Sequence, residues 1–521
     1  MINRRRFLQM AAAGAAGFVS GGFGSLLASR PADAQTKSNR NFVPDLDISL
    51  KATPTEIPIF PGNPTGVWRY EGKVLEGETA SLVDLGRTYL GPIIRVHKGQ
   101  RVRIRFTNDI SQDTIVHWHG LHVPADMDGH PRYVIPKGQT YIYEFEVRNR
   151  AGTYWYHPHP HGMTGPQVYG GLAGLFLVFD DEERDAGLPT GEYDIPLVIQ
   201  DRAFDNSNQL IYLSGHHMEQ MTGFLGDWIL VNGNPDFILP AATSAYRMRL
   251  LNGSNSRIYK LAWQDGSPLI IIGSDGGLLE KPVYRRYVML APGERLELWA
   301  DFSTHAVGSE TVLMSLPFDA GMPGGRRMGR GMMGGGMMGS GGSLPNGAGF
   351  PIFRVRVNRR ETAKMALPER LSTITPFRAS DALNSGNPRR FHLVMRHMNW
   401  TINGRTFGID AVANDEKVRM NTIEQWEFIN EGGGMGMMGV MNMPHPIHLH
   451  GKQFQVVERE GVTHAGYVDE GWKDTVLLMP GERIKLLVKF EDHPGLFLYH
   501  CHNLEHEDMG MMRNYFVGQE A

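Results

Sequence analysis

Residues 102–108 read VRIRFTN, and a variant of that phrase returns twice, as YRMRLLN at 246–252 and, more loosely, as QWEFIN at 425–430. Each alternates apolar and polar residues and ends on asparagine, the period-two pattern of a β-strand with one buried face. A second phrase follows each one: Lys137-Gly138-Gln139 ahead of TYIYEFEV, Pro292-Gly293-Glu294 ahead of RLELWADF, and Pro480-Gly481-Glu482 ahead of RIKLLVKF. The glycines stand 30, 41 and 51 residues beyond Asn108, Asn252 and Asn430. The same order with widening gaps predicts three related β-sandwich domains that differ in their loop insertions. Long helical periodicity is scarce, so the expected fold class is all-β.

Domain limits are expected at 35–185, 186–360 and 388–521. The charged, Pro-containing residues 361–387 read as a linker between the second and third domains. Residues 321–343, GMPGGRRMGRGMMGGGMMGSGGS, are too rich in glycine to pack and are expected to form a loop on the second domain. At the N-terminus, Asn3-Arg4-Arg5-Arg6-Phe7-Leu8-Gln9 looks like a twin-arginine opening. A weakly apolar Ala/Gly run follows from Met10 to Ala28, and Ala32-Asp33-Ala34 is a small-x-small cleavage site. Residues 1–34 therefore read as a signal peptide for the twin-arginine export machinery, with a periplasmic or secreted mature chain starting near Gln35. That run is too weakly apolar for a retained anchor, and no other stretch suits a bilayer, so no stable membrane anchor is expected.

Lys and Arg number 52 against 55 Asp and Glu, and removing residues 1–34 takes away four arginines and one aspartate. An acidic mature chain is no trap for polyanions, which argues against nucleic acid as a partner. The single cysteine, Cys501, excludes an intramolecular disulfide, so packing holds the domains together even in an oxidising compartment.

Histidine is distributed far from randomly. Chance placement of 21 histidines gives about 0.8 His-x-His pairs, too few to mean anything. The chain has five: His117/His119, His157/His159, His159/His161, His448/His450 and His500/His502. In a strand such a pair puts two imidazoles on one face about 7 Å apart, a spacing that suits neighbouring metal ions. In HCHNLEHEDMGMM, residues 500–512, Cys501 then points away from His500 and His502, so one strand joins a thiolate site to an imidazole site. Cys501, His506, Met511 and His445, which is free to turn ahead of Pro446, make up two His, one Cys and a weak axial Met. Those donors describe a blue-copper electron-transfer site. Zinc is the competing metal, but it is redox-inert and its structural sites usually carry more thiolates.

With these motifs in place the mature chain resembles the multicopper oxidases over essentially its whole length. HWHG at 117–120, WYHPHPHG at 155–162, HPIHLHG at 445–451 and HCHNLEHEDMGMM look like that family's four ligand motifs. HEDMGMM, WKDTV at 472–476 and GLAGLFLV at 171–178 are most similar to bacterial copper-efflux (cuprous) oxidases and laccases. The resemblance implies three cupredoxin-like Greek-key β-sandwich domains and four copper ions. His445, Cys501, His506 and Met511 match the type 1 ligands. His117 and His448 match type 2; His119, His157 and His502 match one type 3 copper, and His159, His450 and His500 the other. His161 falls outside the pattern and is expected at the rim. The implied activity is four one-electron oxidations at type 1 copper, transfer through Cys501, and reduction of dioxygen to water. Asp128 and Glu507 match positions of the family's proton path. The implied partners are O2 and a Cu(I) or phenolic reductant, with the chain acting as a monomer.

Methionines gather at Met322, Met328, Met332, Met333, Met337 and Met338, and again at Met435, Met437, Met438, Met441 and Met443. Thioethers are soft ligands for cuprous ion, and Gly-rich surroundings offer them little to pack against, which favours Cu(I) as the reductant. Met441 stands where the copper-efflux oxidases tend to carry an aspartate, so phenolics stay open as substrates. Two other classes share parts of this pattern. A copper nitrite reductase would not need four paired motifs or a third domain, and a non-catalytic cupredoxin-like copper-binding scaffold would not need all eight cluster histidines with Cys501.

Overall fold

The computed structural model describes residues 37–214, 217–320, 344–362, 364–431, 442–462 and 466–519. The expected signal peptide, the glycine-methionine segment 321–343 and the methionines of 432–441 lie outside them. Among the described residues no helix is long and apolar enough to cross a membrane.

The strands fall into three successive pairs of sheets. In the first pair, Leu46–Ile57, Thr65–Glu76, Arg101–Asn108 and Thr140–Glu146 form one sheet, and Ile93–His97, Gly174–Phe179, Gly152–Pro158 and Val116–His119 belong to the other. Their inward residues, among them Ile48, Ile104, Phe106, Val116, Trp118 and Phe176, make a single core. The second pair is built on Asp194–Phe204, Ala245–Asn252 and Arg295–Asp301 against Tyr259–Trp263, Glu310–Ser315 and Phe350–Arg359. The third sets Arg389–Arg396, Thr422–Asn430 and Arg483–Phe490 against His445–Leu449, Thr475–Leu478, Gly495–Cys501 and Met512–Gly518.

The repeated phrases occupy one corner of each sandwich. The strands ending at Asn108, Asn252 and Asn430 pair antiparallel with those that follow Gly138, Gly293 and Gly481. In each copy the glycine N–H donates to the asparagine carbonyl, at 2.7, 2.9 and 2.9 Å. Each asparagine amide also donates to the carbonyl three residues before its glycine: Ile135, Leu290 and Leu478. The glycines have φ of +83, +83 and +86°, a region that L side chains avoid, which accounts for glycine at this turn. A buried amide satisfied in this way fixes where one strand stops and the next begins.

In the second copy the alternation has an unexpected outcome. Arg247 and Arg249 lie on the face opposite Tyr246, Met248 and Leu250, where a period-two reading puts solvent. Both are buried all the same, in a network with Glu183, Asp194 and Glu297. Thr153 of the first sandwich donates to Glu297 at 2.7 Å, so the neighbouring domain covers that face. An arginine that bonds carboxylates through several N–H groups offsets the cost of its burial.

Candidate metal centre

Strand pairing sets the histidines. Val116–His119 runs antiparallel to Gly152–Pro158 with His117 opposite His157. His445–Leu449 runs antiparallel to Gly495–Cys501 with His448 opposite His500 and Ile447 opposite Cys501. The rings of His117/His119, His157/His159, His448/His450 and His500/His502 lie 5.6, 5.9, 4.9 and 5.6 Å apart, each pair on one side of the chain. The two histidine faces, one from the first sandwich and one from the third, then close on each other. His117 stacks on His450 at 3.7 Å and His119 on His448 at 3.6 Å. The Nε2 atoms of His117 and His448 are 3.3 Å apart, as are those of His159 and His500, and those of His450 and His500 are 3.0 Å apart. His502 completes the group, with its ring 4.9 Å from His119 and 5.4 Å from His157. All eight are fully buried.

Burial keeps seven of these imidazoles neutral. It pushes His157, His159 and His502 down to about 3, and His117, His119, His448 and His450 well below the ordinary imidazole value, with repulsion among the rings adding to the effect. The outward nitrogens are held by acceptors. The Nδ1–H groups of His117, His448, His157 and His500 donate to the carbonyls of Asp128, Asp474, Pro158 and Cys501 at 2.6, 2.8, 3.0 and 3.1 Å. His450 Nδ1–H donates to Asp128 Oδ2 at 2.7 Å. These contacts fix the tautomer and leave Nε2 lone pairs facing inward. His119 is reversed: its Nε2 is 3.1 Å from both Asp474 Oδ1 and Thr475 Oγ1, so Nδ1 faces the interior.

Several inward nitrogens lack any protein partner, namely Nδ1 of His119, Nε2 of His157 and both nitrogens of His502. A buried polar atom left unpaired costs about 1–3 kcal/mol, so eight converging imidazoles are poorly explained as packing and well explained as cation ligands. Three-residue sets whose donor atoms lie within 4.8 Å of one another are His159/His450/His500, His117/His448/His450 and His117/His119/His157. The donor set therefore fits more than one metal ion.

Cys501 lies on the other side of the same strand, in the third core. Its Sγ is 3.4 Å from His445 Nδ1 and 3.7 Å from His506 Nδ1, and all three side chains are fully buried. Met511, also fully buried, is tied in by its backbone: Cys501 N–H donates to Met511 O at 3.0 Å and Met511 N–H to His506 O at 2.9 Å. Desolvation pushes the Cys501 thiol far up, so only a bound cation would make it a thiolate here. His506 sits on the short helix Leu504–Asp508, whose first turn is capped by Asn503.

Asp128 and Glu507 are both buried beside the imidazoles. Desolvation holds the Asp128 carboxyl well above the usual carboxylate range, and its Oδ1 has no hydrogen-bond partner. Glu507 Oε2 lies 3.1 Å from His500 Nδ1, and Oε1 lies 3.5 Å from His159 Nε2. His161 is exposed with its ring against Phe407 at 4.8 Å. Met443 packs in the third core at 2 % exposure.

Sequence reasoning missed the residues that orient the ligands. Trp400 packs on His445 and His506, and its N–H shares the carbonyl of Met221 with His506 Nε2–H, at 2.9 and 3.0 Å. Glu505, fully enclosed, takes hydrogen bonds from Tyr212, Asn255, Ser256 and the Phe224 N–H, all of them second-domain residues. These contacts cross up to 293 residues of chain and carry no local motif. Only Asp474, inside WKDTV, had a visible signal.

Acid should destabilise the metal-free protein steeply. The folded values of His157, His159, His502 and His506 lie near 3, against about 6.5 in an unfolded chain. The stability they support is full above pH 6.5, where neither state is protonated, and falls as pH drops toward 3 because only the unfolded state takes up protons. Each contributes about 1.4 kcal/mol per pH unit in that window, so the four together cost several kcal/mol. Urea midpoints of the metal-free chain are expected to fall sharply between pH 7 and pH 5; a flat profile would contradict neutral burial.

Residues 68–183 and 383–521 match family models described as multicopper oxidase. The multicopper oxidase mco of Staphylococcus aureus is 31% identical over 444 residues, spanning 84% of this chain and 84% of that one. Among solved structures, McoA multicopper oxidase from the hyperthermophile Aquifex aeolicus matches with a TM-score of 0.76 at 34% identity, over 92% of this chain and 97% of that one. The multicopper oxidase from Campylobacter jejuni, described as a metallo-oxidase, matches with a TM-score of 0.71 at 26% identity over 90% and 91%.

Proposed function

The chain belongs to the multicopper oxidase family, an oxidoreductase that uses oxygen as acceptor, and from that premise we propose the full arrangement of its sites and its substrate. His445, Cys501, His506 and Met511 hold a type 1 copper. His117 and His448 hold type 2, His119, His157 and His502 one type 3 ion, and His159, His450 and His500 the other. Copper, when bound, supplies a one-electron couple at the cysteine and the oxygen-reducing centre among the imidazoles. The overall reaction consumes four electrons and four protons per O2 and yields two waters.

The chain's own residues link the two sites. His500 Nδ1–H donates to the carbonyl of Cys501 at 3.1 Å, so a covalent and hydrogen-bonded path runs from sulfur to imidazole within one residue. Asp128, whose carboxyl burial raises, can hold a proton beside His450, while Glu507, kept ionised despite its burial by the neighbouring His159 and His500, can accept one. The observation that carries this reading is eight buried imidazoles from two domains, with unpartnered nitrogens, back to back with a Cys/His/His group. Metal analysis tests it: four coppers per chain with oxygen uptake are expected, and a protein that binds one copper or none would refute it.

Cu(I) is the favoured reductant, with phenolics second. Support comes from the methionines of the sequence and from the Campylobacter jejuni relative described as a metallo-oxidase. Deleting residues 323–343 is expected to raise the KM for Cu(I) about tenfold or more, the loss of one or two soft-ligand contacts, while phenol oxidation changes little. Equal Cu(I) kinetics in the deletion would remove the loop from substrate capture. Export by the twin-arginine machinery to the periplasm or medium, and action as a monomer, complete the proposal.

A further inference from the structure

The second domain contributes none of the proposed copper ligands, yet it sends one buried cation into the seam between the other two. Arg295 begins the strand that follows the Gly293 turn, and it is fully buried. All five of its N–H groups have acceptors, in three domains. Nε donates to Thr153 O at 2.9 Å in the first sandwich. Nη1 donates to Gly293 O at 2.9 Å and to Asp474 Oδ1 at 2.7 Å. Nη2 donates to Asp275 O at 3.0 Å and to Asp474 Oδ2. Arg483 holds the same place in the third repeat, two residues past its glycine, but its side chain is half exposed and pairs with Glu460. The inward arginine is peculiar to the second copy.

Asp474, so clamped, touches two proposed ligands from different domains. Its Oδ1 is 3.1 Å from His119 Nε2, and its carbonyl accepts from His448 Nδ1–H at 2.8 Å. Thr475 Oγ1 donates to Asp474 Oδ1 at 2.9 Å and also lies 3.1 Å from His119 Nε2. Asp275 and Lys473, paired at 3.0 Å, balance the charge behind the arginine. The turn itself approaches the cluster: a side chain on Gly293 would put its Cβ 3.1 Å from the His502 ring.

We propose that Arg295 is a positioning residue for the imidazole cluster: through Asp474 it fixes the reversed tautomer of His119 and the orientation of His448, so the domain without ligands is required for cluster assembly. This rests on the copper assignment above. A rigid five-donor fork is what the geometry uses, and lysine, a point charge with three donors, cannot span it. Residues that hold a ligand's far nitrogen are typically worth 10–100-fold in metal affinity.

The test is Arg295→Lys, with Asp474→Asn as the variant that keeps both the carbonyl and one side-chain oxygen if the first does not fold. Wild type and variants are loaded with copper, dialysed against a chelator series and followed by visible absorption, electron paramagnetic resonance and copper content. The expected result is a selective change: the type 1 band, whose ligands touch neither Arg295 nor Asp474, keeps its intensity. The type 2 signal changes its hyperfine pattern, and cluster copper is lost at about ten- to hundredfold lower chelator concentration. Wild-type spectra and retention in both variants, or parallel loss of type 1 and cluster copper, would overturn the inference. Absence of a type 2 signal in the wild type itself would instead overturn the copper assignment.

Discussion

Cys501→Ser is expected to leave a folded, colourless protein with turnover reduced more than about 1000-fold, roughly 4 kcal/mol in barrier terms. Serine is nearly isosteric in the buried site, and the backbone bonds that tie Cys501 to Met511 and His500 survive. What disappears is the soft donor between His445 and His506. The thiol is pushed up by burial and ionises only on metal, and a serine hydroxyl in the same dry pocket stays protonated still more firmly. The eight imidazoles make no contact that depends on sulfur, so cluster copper should persist. Visible absorption, copper content and oxygen uptake check this together. A variant that keeps its intense visible band would mean that the thiolate is not the type 1 ligand.

The second large effect concerns protons. Asp128→Asn and Glu507→Gln are each expected to slow oxygen reduction by about 10²–10⁴-fold, with anaerobic reduction of type 1 copper by substrate unchanged. In the first variant the amide oxygen can still accept from His450 Nδ1–H, which now lies 2.7 Å from Asp128 Oδ2, so the ring stays placed while the proton carrier is lost. Burial raises the Asp128 carboxyl well above its usual range, which lets it carry a proton at a pH where an exposed aspartate is ionised. Such a proton would sit on Oδ1, which has no hydrogen-bond partner. Stopped-flow reduction compared with steady-state oxygen uptake separates the two half-reactions. Turnover equal to wild type in both variants would remove these carboxylates from the proton path.

Much of the architecture was legible because its determinants are local. The Asn/Gly corner repeats since each sandwich needs a strand to stop, a glycine to turn at positive φ and a partner strand to begin, all within one segment. The His-x-His pairs were legible for the same reason: period two in a strand puts alternate side chains on one face, whatever the rest of the chain does. Arg247 and Arg249 show the limit of that rule, because their face was polar by pattern and became interior only when the first sandwich packed on it.

Residue types and spacing alone thus determined the all-β class, the threefold repetition and a soft Cys/His/Met group beside paired imidazoles. Only the tertiary structure decided which pairs meet: His117 on His450 and His119 on His448, each joining the first sandwich to the third. It also decided that a second-domain carbonyl at Met221 orients His506, and that Arg295 reaches Asp474 179 residues away. The physical reason is range. Backbone sterics and strand period act over a few residues and leave a trace in the sequence, whereas desolvated hydrogen bonds between domains depend on a shape that exists only after all three cores have packed.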